Sequence, residues 1–210
     1  MRDLVVFNQI SMDGYFTDHH DDMSWAHKSD PEWRAFVEEN AQGGGELLLG
    51  RITYELMASH WPTPRARDQD PKVAERMNHL RKVVFSRTLD RADWNNTKVV
   101  KGDLFKEVDK MKNESGKTLV ILGSGTLVSQ LTRGGLVDEY QIVVNPIVLG
   151  DGRTMFEGVE DSLNLRLTRT RTFGNGNILL CYQPIRTPGR VDAVVSRAPA
   201  ESGMATDVIP

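Results

Sequence analysis

Four short, uninterrupted runs of apolar residues constrain the fold of this chain more than any other feature of the sequence. They cover residues 4–7, 47–49, 83–85 and 119–122, and the segments between them are long enough to form crossover helices. Strands that are apolar on both faces belong in the middle of a largely parallel sheet that is covered by helices. The pattern therefore predicts an α/β fold.

Apolar residues at helical spacing lie between these runs. They predict helices over residues 31–40, 53–61 and 104–111, and a further helix around residue 128. From residue 138 the sequence becomes typical of strands, with alternating residues at 163–168 and a Gly174-Asn175-Gly176 turn. We expect a C-terminal hairpin that adds antiparallel strands to one sheet edge.

Length and patterning predict one domain over residues 1–183, followed by a flexible tail over residues 184–210 that is rich in Pro, Ala, Ser and Gly. Residues 140–149 carry more apolar surface than an exposed sheet edge normally has, so we also expect a homodimer.

Composition excludes several classes of function. The 26 Lys and Arg against 29 Asp and Glu give a net charge of -3, without the basic excess of a nucleic-acid-binding protein. The single cysteine, Cys181, excludes an internal disulfide and a multi-cysteine metal site, and the histidines show no ligand spacing. No signal pattern or long apolar stretch is present, so we expect a cytoplasmic protein without a membrane or metal partner.

Glycines and polar residues follow three of the predicted strands. They are Gly50-Arg51, Ser86-Arg87 and Gly123-Ser124-Gly125. In a parallel sheet these ends share one edge, where helix N-termini and nearby glycines favour an anion such as a dinucleotide phosphate. The arginines and the serine suit a ribose 2′-phosphate, so NADPH is the expected cofactor. A Gly-x-Gly is equally typical of a tight turn, and a single arginine is more often a surface charge.

Five motifs in this order resemble the bacterial dihydrofolate reductase-like proteins, and among these the RibD C-terminal reductase domain. The motifs are NQISMDGY at residues 8–15, LLGRITYE at 48–55, VVFSR at 83–87, ILGSGT at 121–126 and NPIVLG at 145–150. The resemblance extends over residues 2–183. It implies a three-layer fold around a mostly parallel eight-stranded sheet, with an antiparallel C-terminal edge and NADPH along the carboxyl edge.

The resemblance also implies roles for particular residues. It assigns Gly50, Arg51 and Thr53 to the cofactor phosphates, Ser86 and Arg87 to the 2′-phosphate, and Gly123, Ser124, Gly125 and Thr126 to the pyrophosphate. It implies that residues 11–25 form a mobile loop over nicotinamide. The implied activity is hydride transfer to a small heterocyclic or ribosyl substrate, as in 5-amino-6-(5-phosphoribosylamino)uracil reductase of riboflavin biosynthesis.

The alternatives are a dihydrofolate reductase activity and a non-catalytic nucleotide-binding relative. No zinc signature of a deaminase domain precedes the reductase motifs, so we do not expect the bifunctional enzyme.

Two acids are candidate catalytic residues. Asp30 lies five residues after Trp25, as the catalytic acid of dihydrofolate reductase does, but Asp30-Pro31 is also a typical helix start. Asp13 follows the first strand directly, although Asp-Gly is also a common turn.

Overall fold

The computed structural model describes residues 1–26 and 30–185, and the predicted tail lies outside the described residues apart from Pro184 and Ile185. The strands are β1 (Leu4–Ser11), β2 (Tyr15–Thr17), β3 (Glu46–Gly50), β4 (Arg81–Phe85), β5 (Thr97–Val100), β6 (Leu119–Leu122), β7 (Glu139–Asn145), β8 (Arg153–Thr154), β9 (Leu165–Thr172) and β10 (Ile178–Pro184). The helices are α1 (Pro31–Gly43), α2 (Arg51–His60), α3 (Pro64–Gln69), α4 (Pro71–His79), α5 (Leu104–Asn113) and α6 (Gly125–Arg133).

Eight strands form one sheet in the order β5-β4-β3-β6-β1-β7-β10-β9. The pairs from β5 to β7 are all parallel, whereas β10 runs antiparallel to both β7 and β9. The predicted α/β class, the mostly parallel sheet and the antiparallel C-terminal edge are therefore confirmed. Strands β2 and β8 form a separate two-stranded sheet, which was not predicted from the sequence.

Helices cover both faces of the sheet and make three layers. On one face, α5 and α6 contribute Val108, Val128 and Leu131 to a core with Leu48 and Ile121. The opposite face carries two separate clusters: α2 and α4 pack on β3 and β4, and α1 packs on β7 and β10. Strands β1 and β6 lie between these two clusters, so the sheet is less completely covered there.

Two short helices and one edge strand were not predicted from the sequence. Helices α3 and α4 each begin with a proline at the first helical position, Pro64 and Pro71. Their outward faces are strongly polar, and only Ala66, Val73 and a few neighbours are buried. Strand β5 is four residues long and lies at the edge of the sheet, so it has little of the continuous apolar character of the central strands.

Of the apolar surface expected at residues 140–149, the strand part is buried, and Val148 in the following loop is 61 % exposed. Strand β7 lies between β1 and β10, and Tyr140, Ile142 and Val143 are buried. Exposed apolar side chains also occur on the terminal hairpin, where Leu167 of β9 is 50 % exposed and Ile178 of β10 is 39 % exposed. Among the described residues, no helix is long and apolar enough to cross a membrane.

Lys82 is a charged side chain within the sheet core, only 1 % exposed. Its Nζ donates hydrogen bonds to the carbonyl oxygens of Leu80 (2.6 Å), Met77 (2.8 Å) and Asn78 (3.4 Å), and it lies 4.2 Å from the ring centre of Trp94. The ammonium thus satisfies carbonyls at the C-terminal end of α4. Burial nevertheless lowers the pKa of Lys82 from 10.5 to about 8.

The depressed pKa of Lys82 predicts that the free energy of unfolding rises with alkaline pH. Between about pH 8 and 10.5 the unfolded chain holds the lysine proton and the folded chain releases it, so rising pH removes a cost of folding. Over this range the stability of the wild type should rise relative to Lys82→Met, by at most roughly 3 kcal/mol. Urea unfolding at several pH values measures the difference, and the exposed Lys98→Met is the control. A pH-independent difference between wild type and Lys82→Met would contradict the prediction.

Candidate functional site

A groove of about 1820 Å³ runs along the carboxyl ends of the parallel strands and continues between α1 and α2. All nine residues predicted to contact the cofactor line this groove: Gly50, Arg51, Thr53, Ser86, Arg87, Gly123, Ser124, Gly125 and Thr126. They come from the ends of β3, β4 and β6 and from the first turns of α2 and α6. The structure therefore brings together residues that are up to 76 positions apart in the sequence.

Three of these residues hold the two helix starts together. The Ser124 hydroxyl accepts a hydrogen bond from the Gly50 N–H (2.7 Å) and donates one to the Thr53 hydroxyl (2.8 Å). The Thr53 hydroxyl also accepts a bond from the Ser124 N–H (3.1 Å). The backbone N–H groups of Gly50 and Ser124 and the Thr53 hydroxyl are thus used within the protein. These contacts within the protein hold the neighbouring first-turn N–H groups in position.

The turn between β6 and α6 has an unusual backbone. Gly123 and Ser124 both have positive φ, of 62° and 54°. Positive φ is uncommon for a residue other than glycine, and such residues concentrate at ligand-binding and active sites. A Cβ at Gly123 would lie 2.9 Å from Thr53 Cγ2, so the close approach of the two helix starts requires glycine at this position.

Asn8 belongs to one of the sequence motifs, but the sequence alone assigned it no role. Its side chain is buried, accepts a hydrogen bond from the Gly123 N–H (2.7 Å) and donates one to the Gly123 carbonyl (3.4 Å). The Asn8 amide therefore fixes the two peptide groups that flank the Cα of Gly123. An asparagine directly after a buried apolar run was the available signal, because a buried polar side chain needs hydrogen-bond partners.

The first turns of α2 and α6 can hold an anion. Neither helix has a side-chain N-cap, and first-turn N–H groups have no partner inside an α-helix. At α6 the Leu127 N–H is bonded to the Ser124 carbonyl (2.8 Å), so Gly125 and Thr126 supply the N–H groups there. Both N-termini lie in the groove and contribute partial positive charge. At α6 the backbone is also shielded on one side, since a Cβ at Gly125 would lie 2.9 Å from the Phe16 ring. These groups fit the phosphates of a dinucleotide.

Cationic side chains border the same edge, and they differ in their partners. The Arg51 guanidinium pairs with Glu55 one helical turn away, and Lys101, which was not predicted from the sequence, pairs with Asp90 at 2.7 Å.

Arg87 is exposed and has no hydrogen bond or ion pair with the described residues. Beside it, the Ser86 hydroxyl accepts bonds from the backbone N–H groups of Leu89 and Thr88, which defines a tight turn after β4. Arg87 is thus the cation most available to a phosphate.

The inner part of the groove has a different chemistry from the edge. Phe7 and Gln9 of β1 and Leu122 of β6 form its floor, and Trp33 of α1 and Met57 of α2 face it from the two sides. This part lies over the incompletely covered centre of the sheet. Its apolar side chains suit a flat ring rather than a highly charged ligand.

Asp30 has the geometry of a helix cap. Its Oδ1 accepts hydrogen bonds from the N–H groups of Glu32 (2.9 Å) and Trp33 (3.2 Å), and its Oδ2 accepts one from the Asn175 N–H (3.0 Å). Both oxygens therefore bind backbone, and the residue does not line the groove. The contacts support the capping interpretation, and a catalytic role for Asp30 stays a prediction.

Asp13 joins two loops at the surface. Its carboxylate accepts hydrogen bonds from the N–H groups of Gly150 (2.7 Å) and Leu149 (3.2 Å). Hydrogen bonding with the Ser11 side chain and these N–H groups lowers the pKa of Asp13 to about 2. Asp13 is also outside the groove lining, so its contacts indicate a structural role, and its catalytic role stays a prediction.

The segment of residues 11–25 lies beside the groove, as a covering loop would. Its first half is attached to the protein by the β2–β8 pairing and by the buried Phe16. Asp21, Asp22 and Met23 in its second half contribute to the groove lining. The mobility of this loop stays a prediction.

Comparisons with known proteins agree with this architecture. The chain is 28% identical over 181 residues to the uncharacterized protein YyaP of Bacillus subtilis, covering 86% of this chain and 94% of YyaP. It resembles the diaminohydroxyphosphoribosylaminopyrimidine deaminase/5-amino-6-(5-phosphoribosylamino)uracil reductase of Thermotoga maritima with a TM-score of 0.64 and 16% identity, covering 88% of this chain and 57% of that one. Dihydrofolate reductase from Enterococcus faecalis, solved with NADP(H), gives a TM-score of 0.58 at 15% identity, covering 87% and 96%.

At such low identities the solved structures establish a shared fold. The family is established by sequence, because the family model described as the RibD C-terminal domain matches residues 2–179. This match includes all the strand ends and helix starts that form the groove edge. The chain belongs to the RibD C-terminal domain family.

Proposed function

We propose that this protein is an NADPH-dependent reductase that transfers a hydride to a small heterocyclic or ribosyl substrate. The observation that carries the proposal is the single groove, in which two helix N-termini and the unpaired Arg87 meet beside an apolar cleft. Family membership and the reductase neighbours support the same class of activity. The nearest named reaction is that of 5-amino-6-(5-phosphoribosylamino)uracil reductase in riboflavin biosynthesis.

The proposed arrangement assigns each part of the groove a different task. The first-turn N–H groups of α2 and α6 bind the cofactor phosphates, while Ser86 and Arg87 bind the 2′-phosphate. Ser124, Thr53 and Asn8 hold those elements in place through the hydrogen bonds described above. Bound NADPH supplies the hydride.

The substrate is proposed to lie in the inner groove between α1 and α2, against Phe7 and Leu122. There the apolar side chains orient a flat ring and exclude water from its face. The oxygens of Asp13 and Asp30 are already bound to backbone N–H groups. We therefore propose that a water molecule delivers the proton that reduction of a C=N or C=O carbon requires.

Arg87→Gln should weaken NADPH binding at least about tenfold, a difference of about 1.4 kcal/mol, and leave NADH binding unchanged. The reason is that only NADPH has the 2′-phosphate that this unpaired guanidinium would bind. Calorimetric titration of both nucleotides at one salt concentration makes the measurement. Arg91→Gln is the matched control, since Arg91 is an exposed arginine that pairs with Asp93 and does not line the groove. Failure of the wild-type protein to bind either nucleotide would overturn the proposed reductase function.

Asp30→Asn should retain the turnover of the wild type, whereas Asp30→Ala should lower the free energy of unfolding by about 1 kcal/mol. Asparagine is also a favourable N-cap, but it cannot act as an acid, so this variant separates capping from catalysis. The measurements are NADPH oxidation with 5-amino-6-(5-phosphoribosylamino)uracil and with dihydrofolate, and urea unfolding. Loss of turnover in a stably folded Asp30→Asn protein that still binds NADPH would restore Asp30 as the catalytic acid. NADPH binding with no turnover of either substrate would favour the non-catalytic relative.

We propose further that the protein is a homodimer that pairs through the terminal hairpin. Seven of the eight residues of β9 are exposed, and Leu165 and Leu167 are among them. An exposed edge strand with apolar side chains is a favourable surface for pairing with another chain.

Leu167→Lys should convert the homodimer to a monomer at micromolar concentration, because it places a charge in the proposed apolar contact. Sedimentation equilibrium of the wild type and the variant measures this change. Leu56→Lys provides a control, since Leu56 is a similarly exposed leucine on α2, away from the hairpin. Sedimentation of the wild-type protein as a monomer would contradict the proposed homodimer.

A further inference from the structure

Three buried polar atoms at the adjoining ends of β7 and β10 have no hydrogen-bond partner among the described residues. They are Oδ1 of Asn145 and both polar side-chain atoms of Asn177. The two side chains are 1 % and 0 % exposed. An unpaired buried polar atom is unfavourable because it has lost its hydrogen bonds to water, so a cluster of three requires a physical explanation.

Strand register places these asparagines next to each other and next to Gln9. Asn145 ends β7 and pairs with Ser11 of β1, while Ile178 of β10 pairs with Val144. Extending that antiparallel register by one residue sets Asn177 opposite Asn145. On its other side, the Asn145 Nδ2 donates a hydrogen bond to the Gln9 Oε1 at 3.4 Å and to the Ile10 carbonyl at 3.2 Å.

Gln9 connects this buried cluster to the groove. Its side chain is half-buried, and it lines the inner groove beside Phe7. Because its Oε1 accepts from Asn145, its Nε2 is the end of the amide that is left for a ligand. Within the described part of the chain, Nε2 has no hydrogen-bond partner.

We propose that Gln9 is a specificity-determining residue whose Nε2 donates a hydrogen bond to a ring carbonyl oxygen of the substrate. Asn145 is a positioning residue that fixes which end of the Gln9 amide faces the groove. A buried water between Asn145 and Asn177 satisfies their remaining polar atoms and holds Asn145 in turn. This inference rests on the proposed function, and it narrows the substrate to a flat heterocycle with a lactam carbonyl.

The chemistry of the groove floor favours this ligand class. Phe7 and Leu122 supply apolar contact for the face of a ring, and the Gln9 amide supplies one directed donor at the edge. A site that is built to donate one hydrogen bond discriminates strongly against a ring that presents another donor there, because two donors then face each other unpaired.

Two pteridines that differ at one ring position test the proposal directly. Folate presents a 4-oxo acceptor, and aminopterin presents a 4-amino donor at the same position. Wild-type protein should bind folate at least about tenfold more tightly than aminopterin, which corresponds to about 1.4 kcal/mol. Gln9→Glu should reverse this preference because a carboxylate accepts hydrogen bonds and cannot donate them. Gln9→Met should abolish the preference.

The control and the positioning variant use the same titrations. Gln141→Met is the matched control, because Gln141 also lines the groove but its Nε2 is already bound to Glu139 Oε1 at 2.7 Å. It should leave the ratio of the two affinities unchanged. Asn145→Ala should reduce the ratio toward one, since nothing then fixes the Gln9 amide. A merely structural Asn145 would lower the melting temperature and leave the ratio as it was.

The outcomes are distinct from those of the nucleotide experiment. If neither pteridine binds at about 1 mM, or if the Gln9 variants leave the ratio unchanged, the recognition role of Gln9 is wrong. NADPH titration of the same wild-type sample reports separately on the reductase proposal. Failure of NADPH to bind overturns that proposal, while a reversed pteridine preference in Gln9→Glu would still establish ring recognition by this residue.

Discussion

The groove depends on the hydrogen bonds that join the ends of β1, β3 and β6 after their strand pairing stops. In a parallel sheet the strands diverge into their helices at this edge, so backbone groups there lose their regular partners. Asn8 supplies partners for the Gly123 peptide, and Ser124 and Thr53 join the starts of α2 and α6. Without these side-chain bonds the two helix N-termini would not be fixed relative to each other. Because the N-termini of α2 and α6 are held side by side, these two helices together form one anion-binding edge.

The same edge illustrates a division between positioning and binding. Glycines 50, 123 and 125 are required by the close approach of neighbouring side chains, because a Cβ at any of the three would lie within 3 Å of one of them. Ser124 and Thr53 bind each other and the backbone. The groups left for a ligand are consequently first-turn N–H groups and the side chain of Arg87, which are general features for binding phosphates. The substrate side of the groove instead combines the apolar side chains of Phe7 and Leu122 with the amide of Gln9.

The sequence was sufficient to predict the central strands, four of the helices and the convergence of the nine edge residues. The strands follow from continuous apolar runs and the helices from helical spacing, and the edge follows from the rule that the carboxyl ends of parallel strands meet there. The roles of Thr53 and Thr126 were implied by the family resemblance alone. Helices α3 and α4 were missed because their residues are mostly polar and their buried faces are narrow. The inner groove was also missed: it arises because α1 and α2 pack on separate clusters and leave β1 and β6 incompletely covered, a tertiary result that no local pattern encodes. Likewise, Asp13 is distant in sequence from the Leu149 and Gly150 N–H groups, so only the structure reveals its partners.

The two oxygens of Asp30 have a mechanical consequence for the groove. One oxygen caps α1, and the other binds the backbone of the turn between β9 and β10. Trp33 and Phe36 of the same helix also pack against Phe173 beside that turn. Helix α1 and the hairpin turn are therefore coupled as one body, and an outward swing of the helix must either break this contact or carry the hairpin with it. The open carboxyl edge, rather than displacement of α1, is the route by which a ligand can enter with the least rearrangement.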